Sequence, residues 1–205
     1  MSAGGLVQIA GLVLPLVALV IWAQESWNGE LDRASALASK NAAVVREYVL
    51  RTIQTAESAL TQVDLQTQGL SSDAIGTRAV HTMLKQIDDA ADVPWGIAIA
   101  DENGRLRNSS LVFPLDASVA DRDYFIAVRD GLAPLFIGER IRTRVSNEDA
   151  IPIARRRSGD PFTGIIAANV KVSTLVEFFE KLTADKRTTV SLLRMDGAQL
   201  ARWPL

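Results

Sequence analysis

Between residues 5 and 23 the chain reads GLVQIAGLVLPLVALVIWA, nineteen positions with only Gln8 polar, and no ionised side chain follows until Glu25. A helix of about 20 apolar residues crosses ~30 Å of hydrocarbon, so this run predicts a transmembrane helix with Trp22 and Trp27 at its far interface. The pattern then becomes helical and amphipathic. From 24 to 69 there is no proline and one interior glycine, Gly29, while Val45, Val49, Ile53, Ala56, Leu60 and Val63 recur three or four apart as one narrow apolar stripe. A single long stalk or spine helix satisfies this pattern, with a domain and a second copy of the chain packed on it as a homodimer. Two helices broken near Gly29 satisfy it equally. Gly, Ser and Asp punctuate 69–80 as a loop leading into a shorter helix at 78–91.

Beyond 91 the period changes from helical to alternating. WGIAIA at 95–100 puts Ile97 and Ile99 on one face, DENG at 101–104 ends in the Asn-Gly hairpin signal, and RLRNSS at 105–110 is the returning strand. A helix capped by Ser118 or Asp121 is expected to run to Asp130 and to close at Gly131. On it Arg122, Phe125, Ile126 and Arg129 share a face by spacing, which makes a poor core but a reasonable pocket wall. Strands are expected at 135–141, 150–156 and 164–172, with SGDPFTG at 158–164 as a turn. Thr174 to Glu177 reads as a capping box opening a helix that buries Leu175, Phe178, Phe179 and Leu182. This order predicts an α+β fold, an antiparallel sheet with helices packed across it. From Thr188, VSLLRMDGAQLAR repeats the pattern of GIAIADENGRLR, so a second hairpin opens there. A lone hairpin buries no core, and the expectation is a first part of something longer, or a chain that has lost its second module.

Composition narrows the function. With 22 basic and 24 acidic residues among 205, no global field draws the chain to nucleic acid. The absence of cysteine removes disulfides and thiolate metal sites, and the sole histidine, His81, cannot build a His-rich one. Its polar surroundings read as a surface or helix-end position. There is no Ser with a His partner, no P-loop and no GxGxxG, so neither catalysis nor a cofactor is expected. A carboxylate pair from Asp121, Asp123 and Asp130 is the remaining catalytic option, and such helix-surface carboxylates are common. No Lys or Arg precedes the apolar run, while Glu25, Glu30 and Asp32 follow it, which favours an internal N-terminus and an exported remainder. A cleaved signal competes with the anchor, but the basic n-region is missing and Ile21-Trp22-Ala23 is a poor cleavage site. What stands out is 116–157, which crowds Arg122, Tyr124, Phe125 and Arg129 together and ends in Arg155, Arg156 and Arg157. That density of cations calls for a small anion that is bound and not transformed. The terminal arginines are expected to be a solvated strand end.

These residues resemble the extracytoplasmic double Cache domain of bacterial sensor kinases, diguanylate cyclases and chemoreceptors. The likeness rests on the anchor running into a long helix, on WGIAIADENGRLRNSS, on DRDYFIAVRDG with PLFIGERIRTRVSNEDAIPIARR, and on GIIAANVKVSTLVEFF; DGAQLARWP resembles the start of a second module. It implies a transmembrane helix at 5–23, a helical segment at 24–91, a membrane-distal PAS-like module at 92–186 and a truncated second module at 187–205. It also implies a single-pass protein of the bacterial inner membrane, mostly periplasmic, whose kinase or cyclase output belongs to a cytoplasmic domain outside this chain. In ligand-binding members an Arg and an aromatic pair hold the ligand's carboxylate, and the matching positions are Arg122, Tyr124 and Phe125. The amino-acid-binding subset holds the ammonium group with an aspartate where this chain has Asn169, so a plain carboxylate is the better-matched ligand. Two alternatives remain at this stage: Arg122 paired to Asp121, Asp123, Asp130 or the next loop's acids, and a structural, dimerising module with no ligand.

Overall fold

The computed structural model describes residues 3–91, 96–183 and 188–204; before Arg33, the only side chains described are those of Leu19, Trp22, Gln24 and Trp27. The chain divides into two compact units, Met1–Arg46 and Glu47–Leu205. Helix α1 (Ala3–Thr67) forms the described backbone of the first and enters the second as its opening element. Its backbone stays helical through Gly29, where one glycine costs only about 1 kcal/mol relative to alanine among strong helix formers. The side chains of the apolar run 5–23, save Leu19 and Trp22, lie outside the described residues, and among the described residues no helix is long and apolar enough to cross a membrane.

In the second unit β1 (Ile97–Ala100), β2 (Leu106–Ser109), β3 (Leu135–Ile137), β4 (Ile141–Arg142), β5 (Asp149–Arg156) and β6 (Ile165–Lys171) make one antiparallel sheet, in the order β2-β1-β6-β5-β3 with β4 also beside β5. Trp95, expected to open β1, lies outside the described residues. The register pairs Ala98 with Ala167 and Ile99 with Ile166, so the two faces differ in bulk. The Ile97, Ile99, Ile153 and Ile166 face is buried, and Arg155 on it reaches Thr61 of α1. On α1, Ala56, Leu60 and Val63 are fully buried and Tyr48 stacks on Phe178 at 3.8 Å, so this part of the stripe is used within the chain itself. The opposite face carries Ala98, Ala100, Ala154 and Ala167, and there α4 (Asp123–Arg129) packs through Tyr124, Phe125 and Val128. Small side chains beneath aromatic ones leave room for a cavity.

Several expected boundaries move, each for a local reason. The loop at 69–80 contains a one-turn helix, α2 (Ser72–Ile75), because the Ser71 hydroxyl accepts from the Ala74 N–H at 3.2 Å; α3 (Arg78–Asp89) follows. Neither Ser118 nor Asp121 caps α4: Ser118 donates to Gly104 O and Asp121 is held by Arg144. Gly131, at φ 74°, does close the helix. The strand expected at 135–141 splits into β3 and β4, since Asp123 Oδ2 accepts the Glu139 N–H at 2.9 Å and draws it from the ladder. Helix α5 (Val172–Leu182) leaves β6 directly with Val172 already buried, so the capping box at Thr174 does not form. The last hairpin, β7 (Val190–Leu193) with β8 (Gln199–Trp203), buries Leu200 and Ala201. It is tied to the sheet by Arg194, which donates to Asp123 Oδ2 and to Ile137 O, each at 3.1 Å.

The three arginines expected to face water mostly do not. Arg157 is only 4% exposed and donates to Thr67 O at 3.3 Å, Leu70 O at 3.4 Å and Thr163 O at 3.0 Å, so it binds the last carbonyl of α1 and one in the turn that follows. Arg155 donates to Thr61 Oγ1 at 2.6 Å and lies 3.8 Å from Asp64. Asp64 in turn accepts from the Ser158 N–H and hydroxyl at 2.8 and 2.7 Å. Arg156 alone is exposed, over the Phe162 ring.

Candidate ligand-binding site

On the alanine face of the sheet a cavity of about 30 Å³ lies within a cleft of about 430 Å³ that includes its open mouth. Its floor is Ala98, Ala100, Ile165 and Ala167; Arg122 and Tyr124 wall it at the start of α4, Thr143 and Arg144 follow β4, and Asn169 projects from β6. Among the described residues no carboxylate lines it. A second cavity, which shares Ala98, Thr143, Val145 and Asn169 with the first, continues towards Glu148 and Lys171, themselves paired at 3.0 Å.

Three polar groups in the first cavity lack partners. Arg122 donates through Nη2 to Arg142 O at 3.2 Å, but its Nε is buried and unbonded. The Tyr124 hydroxyl has no hydrogen bond among the described residues although the residue is 4% exposed, and burial pushes its pKa up to about 12, partly opposed by Arg122 and Arg144. It is therefore a permanent donor at neutral pH. Asn169 spends its amide nitrogen on Gly96 O at 3.0 Å, which leaves its oxygen as a free acceptor. Buried polar groups are nearly always satisfied, so the buried Nε of Arg122, with an unbonded hydroxyl and an unbonded amide oxygen lining the same cavity, marks a place for a polar guest.

The ion-pair alternative for Arg122 is not what the structure adopts. Asp121 is held by Arg144 through two bonds of 2.7 Å, Asp123 by Arg194 at 3.1 Å, and Asp130 by Arg129 at 2.8 Å, and no described ion pair includes Arg122. The same pairings keep these carboxylates from forming a catalytic dyad. Two other expected site residues stand away from the cavity. Phe125, 1% exposed, packs in the core with its ring edge-on to Phe162 at 6.0 Å, and Arg129 is on the outer surface with Asp130. Arg122 is the extended N-cap residue, at φ −84° and ψ 143°, so helical spacing counted from it does not define a face. The buried side of α4 is instead Tyr124, Phe125, Ala127 and Val128.

Arg144 is the cavity residue that sequence reasoning missed, because it sits in the turn after β4, where no periodicity marks it. Its Nη1 also donates to Ser118 O. His81 lies on α3 with Nδ1 2.6 Å from Ser109 O and its ring stacked on Phe113, which is a structural role. Among the described residues no cluster of three His, Cys, Asp or Glu could hold a metal ion.

No protein-family model matches the sequence, and no curated protein matches it significantly. Solved structures do match. An extracellular domain attributed to the histidine kinase rpHK1S-Z16 superposes with a TM-score of 0.61 at 23% identity, over 75% of this chain and 65% of that one. The sensory domain of the Campylobacter jejuni chemoreceptor Tlp3 with isoleucine bound gives 0.64 at 12% identity, over 87% and 72% of the two chains. The ligand-binding domain of the Pseudomonas aeruginosa amino acid chemoreceptor PctC in complex with GABA gives 0.60 at 12%, over 82% and 74%. The chain thus spans about two thirds of the first of these domains and somewhat more of the others. The chain therefore shares the fold of these sensory domains, an α+β, PAS-like, Cache-type arrangement of an antiparallel sheet flanked by helices.

Proposed function

We propose that this chain is the extracytoplasmic sensing region of a bacterial membrane signalling protein and that its cavity binds a small organic anion, a carboxylate, without transforming it. The observation that carries the reading is the buried, unbonded Nε of Arg122 beside the unpartnered hydroxyl of Tyr124. A guanidinium offers a carboxylate a planar fork of donors, and such charge-assisted bonds are roughly twice as strong as neutral ones. The cavity of about 30 Å³ accommodates two or three water-sized groups at about 10–15 Å³ each, enough for a carboxylate head with its tail in the mouth. Tlp3 and PctC are described with isoleucine and GABA, ligands that also carry an ammonium group. Here that group would meet the Asn169 amide oxygen and neutral hydroxyls but no carboxylate among the described lining residues, and a plain carboxylate or a hydroxy acid suits the lining better. In this reading the apolar run at 5–23 is the membrane anchor and α1 carries the module. Binding shifts the module between states only by the difference in affinity for them.

The full chain in detergent is melted with formate, acetate, propionate, lactate, succinate and alanine. A short carboxylate should raise the melting temperature, and Arg122→Ala should remove the rise. No stabilisation by any compound, or a response that survives Arg122→Ala, would sink the reading. In that case a structural module remains, although Ala56, Leu60 and Val63, the fully buried positions of the stripe, are not free to dimerise it.

A further inference from the structure

Arg122 is not the only guanidinium at the cavity: Arg144 lines it as well, with both of its Nη atoms engaged elsewhere. It holds Asp121 in a bidentate pair, Nη1 to Oδ1 and Nη2 to Oδ2 at 2.7 Å each, and Nη1 also donates to Ser118 O. Its Nε has no partner among the described residues. Both members of the pair are reachable from water, with side chains 39% and 62% exposed, whereas the Arg157 contacts that hold the sheet to α1 are buried. Chemically, the Asp121 carboxylate presents to Arg144 the same group that a carboxylate ligand would present.

We infer that Arg144 is a second anion-binding residue of this cavity and that Asp121 is an internal carboxylate which the ligand displaces from it. The inference rests on the reading that the cavity binds an anion, and it adds a consequence for affinity. Asp121 competes with the ligand for one of the two guanidiniums, so the resting site is weaker than its two arginines allow. A ligand with two carboxylates engages both cations and gains more from release of the latch than one with a single carboxylate.

The test is calorimetric titration of the full chain with acetate and with succinate. Asp121→Asn should tighten acetate about two- to fivefold, the factor that one exposed ion pair represents, and succinate by more. Arg144→Gln should weaken both ligands, and in Asp121→Asn/Arg144→Gln the gain should vanish. Asp121→Ser serves as an independent variant, its melting temperature recorded alongside. If the wild type binds and Asp121→Asn leaves the affinity unchanged, this inference fails while the anion reading stands. An Arg144→Gln protein that binds as tightly as the wild type, or more tightly, also overturns it, because Arg144 would then be only a plug. Absence of binding in both the wild type and Asp121→Asn overturns the inference together with the reading beneath it. Binding by Asp121→Asn alone supports it.

Discussion

Replacing Arg157 with methionine tests whether the end of β5 is bolted to α1 by charge-assisted bonds or merely rests against it. The guanidinium makes three bonds, to Thr67 O, Leu70 O and Thr163 O, and the residue is 4% exposed. Hydrogen bonds from a charged group contribute about 1.5–3 kcal/mol each, and every carbonyl left dry costs about 1–3 kcal/mol. Against this stands the desolvation of a buried cation, which here lowers the Arg157 pKa and leaves its Nε unbonded. Methionine removes the charge and fills much of the space, so the net loss should be about 2–4 kcal/mol. For a unit of this size each kcal/mol moves the melting temperature by roughly 2–4 °C, so Arg157→Met should melt about 5–15 °C lower by scanning calorimetry. Amide exchange in the last turn of α1 should accelerate in parallel. Arg156→Met is the control: that side chain lies exposed over Phe162, and its loss should cost under about 1 kcal/mol. An Arg157→Met protein melting within about 2 °C of wild type, or no lower than Arg156→Met, would refute the energetic argument.

Three further outcomes are expected. Gly138→Ala would place a Cβ 2.7 Å from Pro152 Cγ, 3.1 Å from Asp123 Oδ1 and 3.2 Å from Tyr124 Cβ, so it should cost about 1–3 kcal/mol and weaken anion binding; unchanged melting and affinity would count against this packing. Asn169→Asp loses the bond to Gly96 O and sets a carboxylate against that carbonyl, so the protein should lose about 1–2 kcal/mol while its preference moves from propionate towards alanine, measured by thermal shift. The side-chain hydrogen bond from Arg144 is the leading cause that holds Asp121 at about 2, below its unfolded value near 4, so the pair's contribution is complete above about pH 4 and fades as pH falls through about 2. In Arg144→Gln the Asp121 midpoint, followed by carboxyl NMR, should return towards the ordinary aspartate range, and a midpoint that stays near 2 would assign the shift elsewhere.

The sheet is legible in the sequence because short β-branched runs are bounded by turn residues and β1 alternates Ile and Ala, and the resulting register sets an alanine face under α4. Arg122 and Tyr124 stand out in the sequence as a cationic and aromatic cluster leading a short helix, whereas Asn169 is reached only through the family resemblance. What the sequence hid was pairing at a distance. Asp123 finds Arg194 across 71 residues and Arg157 finds Thr67 across 90, and no local pattern records either match. Three arginines in a row therefore read as a solvated end, although two of them are spent on α1. Counting helical periodicity from Arg122 misplaces Arg129, because Arg122 sits one residue before helical geometry begins.

Strand β5 touches both halves of this arrangement. Near its start Ala150 pairs with Ile141, which lines the cavity, and beyond its end Arg157 grips the last carbonyl of α1 and one in the turn after it. A strand so fixed behaves as a tie rod: it is stiff along its length, and its hydrogen-bonded neighbours prevent it from buckling. A guest that pushes β4 outward by a fraction of an ångström would pull on β5 through their paired backbones and, through one guanidinium, on the residues that end α1.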